Sequence, residues 1–338
     1  MSEPATTYAL IGHDQPEQAF LEAWTTGRLH HAWLLTGPRG VGKATFAWRV
    51  ARFVLSGGVG EGGMGGGGGL FGGGPDSLAV SADHHVSRML EAGSHPSLRL
   101  LARRENDRGK LAKEISVDQV RELTPFLGIK PAEGDWRVVL VDAADEMNRS
   151  AANALLKMLE EPPARTLFLL ISHAPGRLLP TIRSRCRRLA FAPLDTADVT
   201  AVLRRVKPDL APEEAEELAR LAEGAPGRAL RFAGLDIGKL ERSLAELRRT
   251  GDPSGRLGLA LAEALASPAA QPRYEAFLEL VQEDLAAQAR AAGPQALAPR
   301  VELWEKARDL AGAAVPLALD PKAVVHELAR IVASGARM

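Results

Sequence analysis

The chain opens with short apolar runs separated by longer stretches in which apolar residues recur every three or four positions. Residues 8–56 and 115–192 both show this alternation, which is typical of an α/β layer fold. The runs at 32–35 and 138–141 are apolar throughout, as expected for strands buried on both faces of a parallel sheet. We predict strands at these two runs and at 166–172, and helices at 44–55 and from 148 to the paired prolines at 162–163.

The strand-like runs stop at residue 193. The rest of the chain is rich in alanine, leucine, glutamate and arginine at helical spacing, and glycine and proline interrupt it. We predict three short helices at 198–205, 212–222 and 227–235, and an all-helical region after 238 with breaks at 251–253, 268, 293–294 and 316. The predicted domains are an α/β domain at 1–192, a three-helix lid at 193–236 and a helical domain at 237–338.

One segment, residues 57–75, is dominated by glycine. Such a segment cannot bury enough apolar surface to offset the entropy lost on ordering it. We therefore predict a disordered loop inserted in the α/β domain.

Composition excludes several classes of function. The chain has 42 basic and 42 acidic residues, so it has no global attraction to nucleic acid or to an anionic membrane. A single cysteine, Cys186, excludes internal disulfides and a cysteine-rich zinc site. No apolar stretch reaches the roughly 18 residues of a membrane helix, and the first residues lack the pattern of a signal peptide. We expect a cytoplasmic protein with no membrane partner.

A phosphate-binding pattern, G-x-x-x-x-G-K, lies between the first predicted strand and the helix at 44–55. In this context backbone N–H groups approach phosphate oxygens, and the helix N-terminus favours a bound anion. Lys43 would reach the terminal phosphates, but position 44, where a serine or threonine hydroxyl would bind magnesium, is alanine. Thr45 lies one residue further on, where its hydroxyl faces another side of the helix. The candidate nucleotide-binding residues are Gly37, Gly40, Gly42, Lys43, Ala44, Thr45 and Asp142.

The second predicted strand carries Asp142 to the sheet edge at which open α/β sheets bind their ligands. Asp142 is placed to hold a magnesium-bound water. Hydrolysis also needs a group that positions the attacking water, and the adjacent residue is Ala143. Asp145 and Glu146 follow on the next turn, where we interpret them as acids favoured by the helix dipole. The alternative is that one of them serves as the base.

Two further motifs are N-A-L-L-K-x-L-E-E-P-P at 153–163 and S-R-C at 184–186. Together with the P-loop, they make the chain resemble the clamp-loader branch of the AAA+ ATPases over roughly residues 8–235. The resemblance implies an AAA+ P-loop domain, built as a parallel sheet with flanking helices, followed by a small helical lid and an all-α collar. Motor subunits of that branch carry D-E-x-H where this chain has Asp142-Ala143-Ala144-Asp145, so the chain resembles a subunit that lacks its own catalytic acid.

The resemblance also implies a role for the S-R-C motif, which comprises Ser184, Arg185 and Cys186. In this family its arginine projects into the ATP site of the neighbouring subunit and stabilises charge that develops during phosphoryl transfer. Arg185 would then be a catalytic group that acts in trans; the alternative is that it only pairs with a nearby carboxylate. We interpret Cys186 as a small packing residue. A solvated basic edge or an interface rim is predicted for Arg183, Arg187 and Arg188.

Other positions of the family pattern are altered. The strand end that usually carries a phosphate-sensing threonine has Ser172, which could partly substitute, followed by His173, which we predict in a surface loop. The lid arginine of the motor subunits is displaced here by one residue, to Arg228, about 100° around a helix, so we do not expect it to serve. A zinc site is not expected, because no cysteine or carboxylate lies at ligand spacing around the histidines His84, His85 and His95.

Taken with these departures, the resemblance implies a clamp-loader stator. The chain would occupy one end of a heteropentameric ring with motor and clamp-opening subunits, and would meet the sliding clamp and primer–template DNA through that assembly. Its own P-loop would bind ATP weakly or not at all and would not hydrolyse it. Two alternatives remain open. One is a self-sufficient AAA+ ATPase of the motor type, with Asp145 or Glu146 as base, and the other is a nucleotide-responsive adaptor outside replication.

Overall fold

The computed structural model describes residues 4–58, 75–105, 111–128 and 136–337. The predicted glycine-rich loop at 57–75 falls almost wholly outside these ranges. The chain divides into two compact units, Met1–Leu230 and Arg231–Met338. The predicted boundary after residue 192 lies inside the first unit, and the division into three domains stays a prediction.

A parallel sheet forms the centre of the first unit. Within the described residues it has five strands in the order β2-β3-β4-β1-β5, and every neighbouring pair is parallel. The strand that carries the P-loop therefore lies between β4 and β5. The strands are β1 Ala32–Thr36, β2 Leu98–Ala102, β3 Arg137–Asp142, β4 Thr166–Ser172 and β5 Arg187–Ala190.

The central strands are apolar throughout because both of their faces are covered. In β1, Trp33 packs into one hydrophobic cluster and Leu34 into another, and the adjacent strand alternates in the same way at Leu169 and Leu170. Successive side chains of a strand point to opposite faces, so a continuous apolar run is what two covered faces require. The predicted α/β fold with a parallel sheet is confirmed.

Helices cover the two faces of the sheet. One cluster includes Phe20, Phe46 and Phe53 from the first two helices, and the other includes Leu155 and Ile182. All five side chains are fully buried. The helices of this unit are α1 Asp14–Thr25, α2 Lys43–Leu55, α3 His85–Glu91, α4 Val117–Arg121, α5 Leu123–Gly128, α6 Arg149–Glu160, α7 Pro180–Ser184, α8 Thr196–Val206 and α9 Pro212–Leu221, and α10 Pro226–Phe232 runs across its boundary.

Helices make up the second unit, as predicted. Its core includes Phe277, Val325 and Leu328, each fully buried. Glycine and proline separate its helices where the sequence predicts breaks: Gly251 ends the first in a left-handed conformation, and Pro294 begins the fourth. These helices are α11 Ile237–Thr250, α12 Arg256–Leu265, α13 Gln271–Ala291, α14 Pro294–Ala314 and α15 Pro321–Ser334.

Within the described ranges, no helix combines the length and the apolar character needed to cross a membrane.

Candidate functional site

The P-loop connects β1 to α2, as its motif predicts. Gly42 precedes the helix in a left-handed conformation, and α2 begins at Lys43. Two glycines of the loop are required by close contacts. A Cβ at Gly37 would lie 2.3 Å from the carbonyl oxygen of Phe191, and one at Gly40 would lie 3.1 Å from the backbone nitrogen of Arg228. The loop is therefore packed against the strand β5 exit on one side and the lid helix α10 on the other.

Helix α10 contacts the P-loop through backbone atoms. The N–H of Gly227 donates to the carbonyl oxygen of Gly40 at 2.8 Å, and a Cβ added at Gly227 would lie 3.0 Å from the Cα of Gly40. The side chain of Arg228, on the following residue, is buried. A glycine on each side of the contact lets the P-loop and the start of α10 touch.

Lys43 is turned back onto its own loop. Its ammonium group donates to the carbonyl oxygens of Gly37 at 2.6 Å and Pro38 at 2.5 Å, and the residue is only 2% exposed. Burial lowers the pKa of Lys43 to about 8, against the opposing charges of Asp142 and Asp145. The group that would bind the terminal phosphates is engaged with the protein in this conformation.

The acidic edge of the site lies at the end of β3. Asp142 ends that strand, and burial, together with the charge of Glu146, raises the pKa of its carboxyl group. The charges of Arg39 and Lys43 oppose this increase. The following residue, Ala143, is 2% exposed and has only a methyl group. The side chain at the position of the usual water-activating acid therefore cannot accept or donate a proton.

Asp145 and Glu146 lie on a short 3-10 turn, Ala144–Glu146, as predicted. Both carboxylates already have partners. Asp145 Oδ1 accepts from the backbone N–H of His173 at 2.9 Å, and Glu146 Oε2 lies 2.7 Å from Arg103 Nε in an ion pair. Neither is poised as a free base in this arrangement.

Ser172 and His173 lie at the end of β4, on the same sheet edge. The Ser172 side chain is fully buried, and its hydroxyl has no hydrogen-bond partner among the described residues. His173 lies in the bend that follows β4, as predicted, but it is half-buried and not fully exposed. Burial and the nearby charge of Lys43 lower its pKa to about 4, so the imidazole is neutral near pH 7.

Magnesium–ATP does not fit the residues of this edge as they stand. Ala44 offers no oxygen to a magnesium ion, because its side chain is a methyl group. The Lys43 ammonium bonds to the carbonyl oxygens of its own loop, at Gly37 and Pro38. Only Asp142 keeps the position that the family pattern assigns to a magnesium-binding group.

His13 supports the P-loop from outside the motif, which the sequence did not predict. Its Nε2 lies 2.7 Å from the carbonyl oxygen of Val41, and its ring packs edge-on against Phe191 at 4.9 Å. Burial lowers the pKa of His13. A histidine near the start of the chain, separated by about thirty residues from the loop it contacts, carries no local pattern that would reveal this role.

The S-R-C motif lies at the opposite edge of the sheet. Arg185 follows the short helix α7, two residues before β5 begins at Arg187, which pairs with Trp33 near the start of β1. The P-loop follows the end of β1. Because each strand residue advances about 3.3 Å, the two edges are roughly 15 Å apart. Arg185 is therefore not placed to reach a phosphate bound at the P-loop of its own chain.

Arg185 is partly exposed and is held by two contacts. Its Nη2 lies 2.9 Å from Glu160 Oε1, and its Nη1 donates to the carbonyl oxygen of Thr181 at 3.1 Å. The predicted alternative, a pairing with a carboxylate, is thus present in this structure. A pairing of this kind still leaves other N–H donors of the guanidinium for a further ligand.

The neighbours of Arg185 contribute packing and charge. Cys186 packs against the hydrophobic cluster of α6 and α7, and burial raises the pKa of its thiol to about 12. The thiol is therefore protonated and a poor nucleophile. Arg187 lies over the Trp33 ring at 4.7 Å, and the Arg188 side chain donates to Thr36 Oγ1. Exposed side chains are found at all three flanking arginines, Arg183, Arg187 and Arg188.

Two of the histidines considered for zinc, His84 and His95, serve local structure. His84 caps α3 by accepting from the N–H of Val86, and His95 Nδ1 accepts from the N–H of Ser97. Across the described ranges, no three histidine, cysteine or carboxylate side chains form a cluster that would hold a metal ion.

Comparison with known proteins shows which sequences this chain resembles. Residues 73–195 match the family described as DNA polymerase III, delta subunit. The chain is 37% identical over 233 residues to DNA polymerase III subunit delta′ of Pseudomonas aeruginosa, which covers 68% of this chain and 65% of that protein. It is 31% identical over 239 residues to subunit delta′ of Escherichia coli K12, which covers 70% and 65% respectively.

A second type of subunit is also similar. The chain is 31% identical over 205 residues to DNA polymerase III subunit gamma/tau of Mycobacterium bovis, which covers 60% of this chain and 31% of that protein. The matches to both delta′ subunits span 65% of the length of those relatives, a little under two thirds. By sequence this chain is a homologue of the DNA polymerase III delta′ subunits, and its first unit has the parallel sheet with flanking helices that the resemblance implies.

Proposed function

We propose that this chain is a clamp-loader subunit of DNA polymerase III and acts as a stator. It would hold one end of a heteropentameric ring formed with gamma/tau motor subunits and a clamp-opening delta subunit in the cytoplasm. The ring would load the sliding clamp onto primer–template DNA, with ATP hydrolysed by the motor subunits. Support comes from the similarity to delta′ and gamma/tau subunits.

The observation that carries the proposal is the position of Arg185. It lies at the sheet edge opposite its own P-loop and keeps a partly exposed side chain. A guanidinium in that position serves a phosphate only if a neighbouring subunit presents one. Arginine fingers supplied from a neighbour raise phosphoryl-transfer rates by about 10³–10⁵. We propose that Arg185 supplies this group to the adjacent motor subunit.

The chain's own nucleotide site would be vestigial. Ala143 removes the acid that positions water, Ala44 removes a magnesium ligand, and Lys43 bonds to the loop itself. We propose that ATP binds weakly or not at all and is not turned over. The homology with gamma/tau subunits keeps the motor-type ATPase as the second candidate, but that candidate needs Asp145 or Glu146 to leave its present partner.

Two measurements test this function. The purified chain alone should show no ATP hydrolysis above background, and clamp loading by gamma/tau and delta subunits should depend on adding it. Hydrolysis by the isolated chain at the rate of a motor subunit would contradict the proposal. Failure to co-purify with gamma/tau and delta would favour an adaptor outside replication.

A further inference from the structure

The residues that hold Arg185 come from two helices. Glu160 is the last residue of α6, and Arg185 follows the last residue of α7. The two side chains approach to 2.9 Å between Glu160 Oε1 and Arg185 Nη2. The carbonyl oxygen of Thr181, in the first turn of α7, accepts from Nη1 at 3.1 Å.

These two contacts fix the direction of the guanidinium. The group is planar and carries five N–H donors in a fixed fork, so restraints on both terminal nitrogens define its plane. The remaining donors stay available to a phosphate. An arginine without such restraints would have many rotamers, of which few would point into a neighbouring site.

The ion pair between Arg185 and Glu160 contributes little to the stability of the fold. The side chains of Arg185 and Glu160 are 37% and 42% exposed, and exposed pairs contribute little to folding because solvent screens them. Glu160 also ends the helix that begins beside the nucleotide edge, where Asn148 caps α6 six residues after Asp142. A helix of this length spans about 18 Å, which is the distance between the two sheet edges to within a few ångströms.

We propose that Glu160 is a positioning residue for Arg185. It holds the guanidinium in the orientation that a neighbouring subunit's ATP requires, and α6 supplies the rigid support. The inference rests on the proposed trans role of Arg185. It predicts that Glu160 acts on the chemical step only through Arg185, and that it does not compete with phosphate for the guanidinium.

The test uses the complete complex reconstituted with gamma/tau and delta subunits. DNA-stimulated ATP hydrolysis is measured for Glu160→Ala, Glu160→Gln, Arg185→Ala and the double variant Glu160→Ala/Arg185→Ala. Glu161→Ala is the matched control, because Glu161 is the next residue, is exposed and makes no ion pair within the described part of the chain. Gel filtration verifies assembly of each complex.

The expected result is a fall of about ten-fold in kcat for Glu160→Ala with the KM for ATP unchanged, since misplacement by about 1 Å is enough for such a loss. Glu160→Gln keeps an oxygen acceptor and should retain kcat within about three-fold. The double variant should match Arg185→Ala, and Glu161→Ala should match wild type.

Three results would overturn the inference. An unchanged rate for Glu160→Ala would mean that the pair does not position Arg185, and an increased rate would mean that Glu160 competes with phosphate. A further fall in the double variant would show that Glu160 acts by another route. An unchanged rate for Arg185→Ala would contradict the proposed function itself. Failure of the proposed function is therefore seen in the Arg185 variant, and failure of this inference is seen in the Glu160 variants.

Discussion

Single residues distinguish the two edges of the sheet: in our proposal ATP hydrolysis is lost at the P-loop edge, and a catalytic arginine is retained at the other. At the P-loop edge, Ala44 and Ala143 replace groups that hydrolysis needs, and Lys43 bonds to its own loop. At the other edge, Arg185 remains partly exposed. The sequence motifs were enough to single out both alanines and the arginine. It did not predict the state of Lys43, because that depends on two backbone carbonyls whose directions are set by the folded loop.

The buried state of Lys43 predicts a pH dependence of stability. Its pKa is lowered to about 8 in the folded protein from 10.5, so between these values the unfolded chain binds more protons. The free energy of unfolding should therefore rise as the pH increases from 8 to 10.5. Relative to Lys43→Met, the rise for wild type should reach about 3 kcal/mol.

Urea unfolding followed by tryptophan fluorescence measures this difference at several pH values. Trp33 and Trp48 are both buried in the α/β unit and report on its unfolding. Lys157→Met, which removes an exposed lysine from the same unit, should keep the pH dependence of wild type. If the free energy of unfolding changed with pH in the same way for wild type and Lys43→Met, the lowered pKa of Lys43 would be contradicted.

Whole elements could be predicted where burial makes the pattern continuous. The strand β4 has the predicted bounds, and α6 begins within a residue of its predicted start because Asn148 is a strong N-cap and the prolines at 162–163 stop it. The edge strands β2 and β5 were not singled out. Three of the five residues of β2 and three of the four residues of β5 are partly or fully exposed, and arginines interrupt the apolar run that identifies the central strands.

The N-cap of α6 gives a prediction at this scale. Asn148 Oδ1 accepts from the N–H of Ala151 at 2.9 Å, which satisfies a donor that the helix leaves unpaired. Asn148→Ala should lower the free energy of unfolding by about 1 kcal/mol. Asn153→Ala, at an exposed interior position of the same helix, should not lower it, since alanine has the higher helix propensity. Urea titration separates the two, and an equal loss for both would argue against the cap.

The whole molecule consists of two compact units. The second unit, Arg231–Met338, builds its core from five helices and has its own buried aromatic, Phe277. The sequence predicted its helical character from spacing and breakers. It could not predict which helices pair, because several amphipathic faces of similar composition fit one another and only the folded packing selects among them.

A fragment comprising residues 231–338 should therefore fold by itself. Circular dichroism should show a helical protein that melts in one cooperative transition. Phe277→Ala in that fragment should lower the Tm by more than about 10 °C, because it removes a fully buried ring from a small core. Leu297→Ala, at a side chain 45% exposed, should change it little. A fragment that melts without cooperativity would contradict the independent core.

The central claim is that Arg185 completes the ATP site of a neighbouring subunit. The most direct test compares DNA-stimulated ATP hydrolysis of the reconstituted complex for wild type, Arg185→Ala and Arg183→Ala, which changes an exposed arginine in the short helix just before Arg185. The account predicts a fall of at least about 10²-fold at the ATP site that depends on Arg185, with the complex still assembled and Arg183→Ala near wild type. An unchanged rate for Arg185→Ala would contradict it.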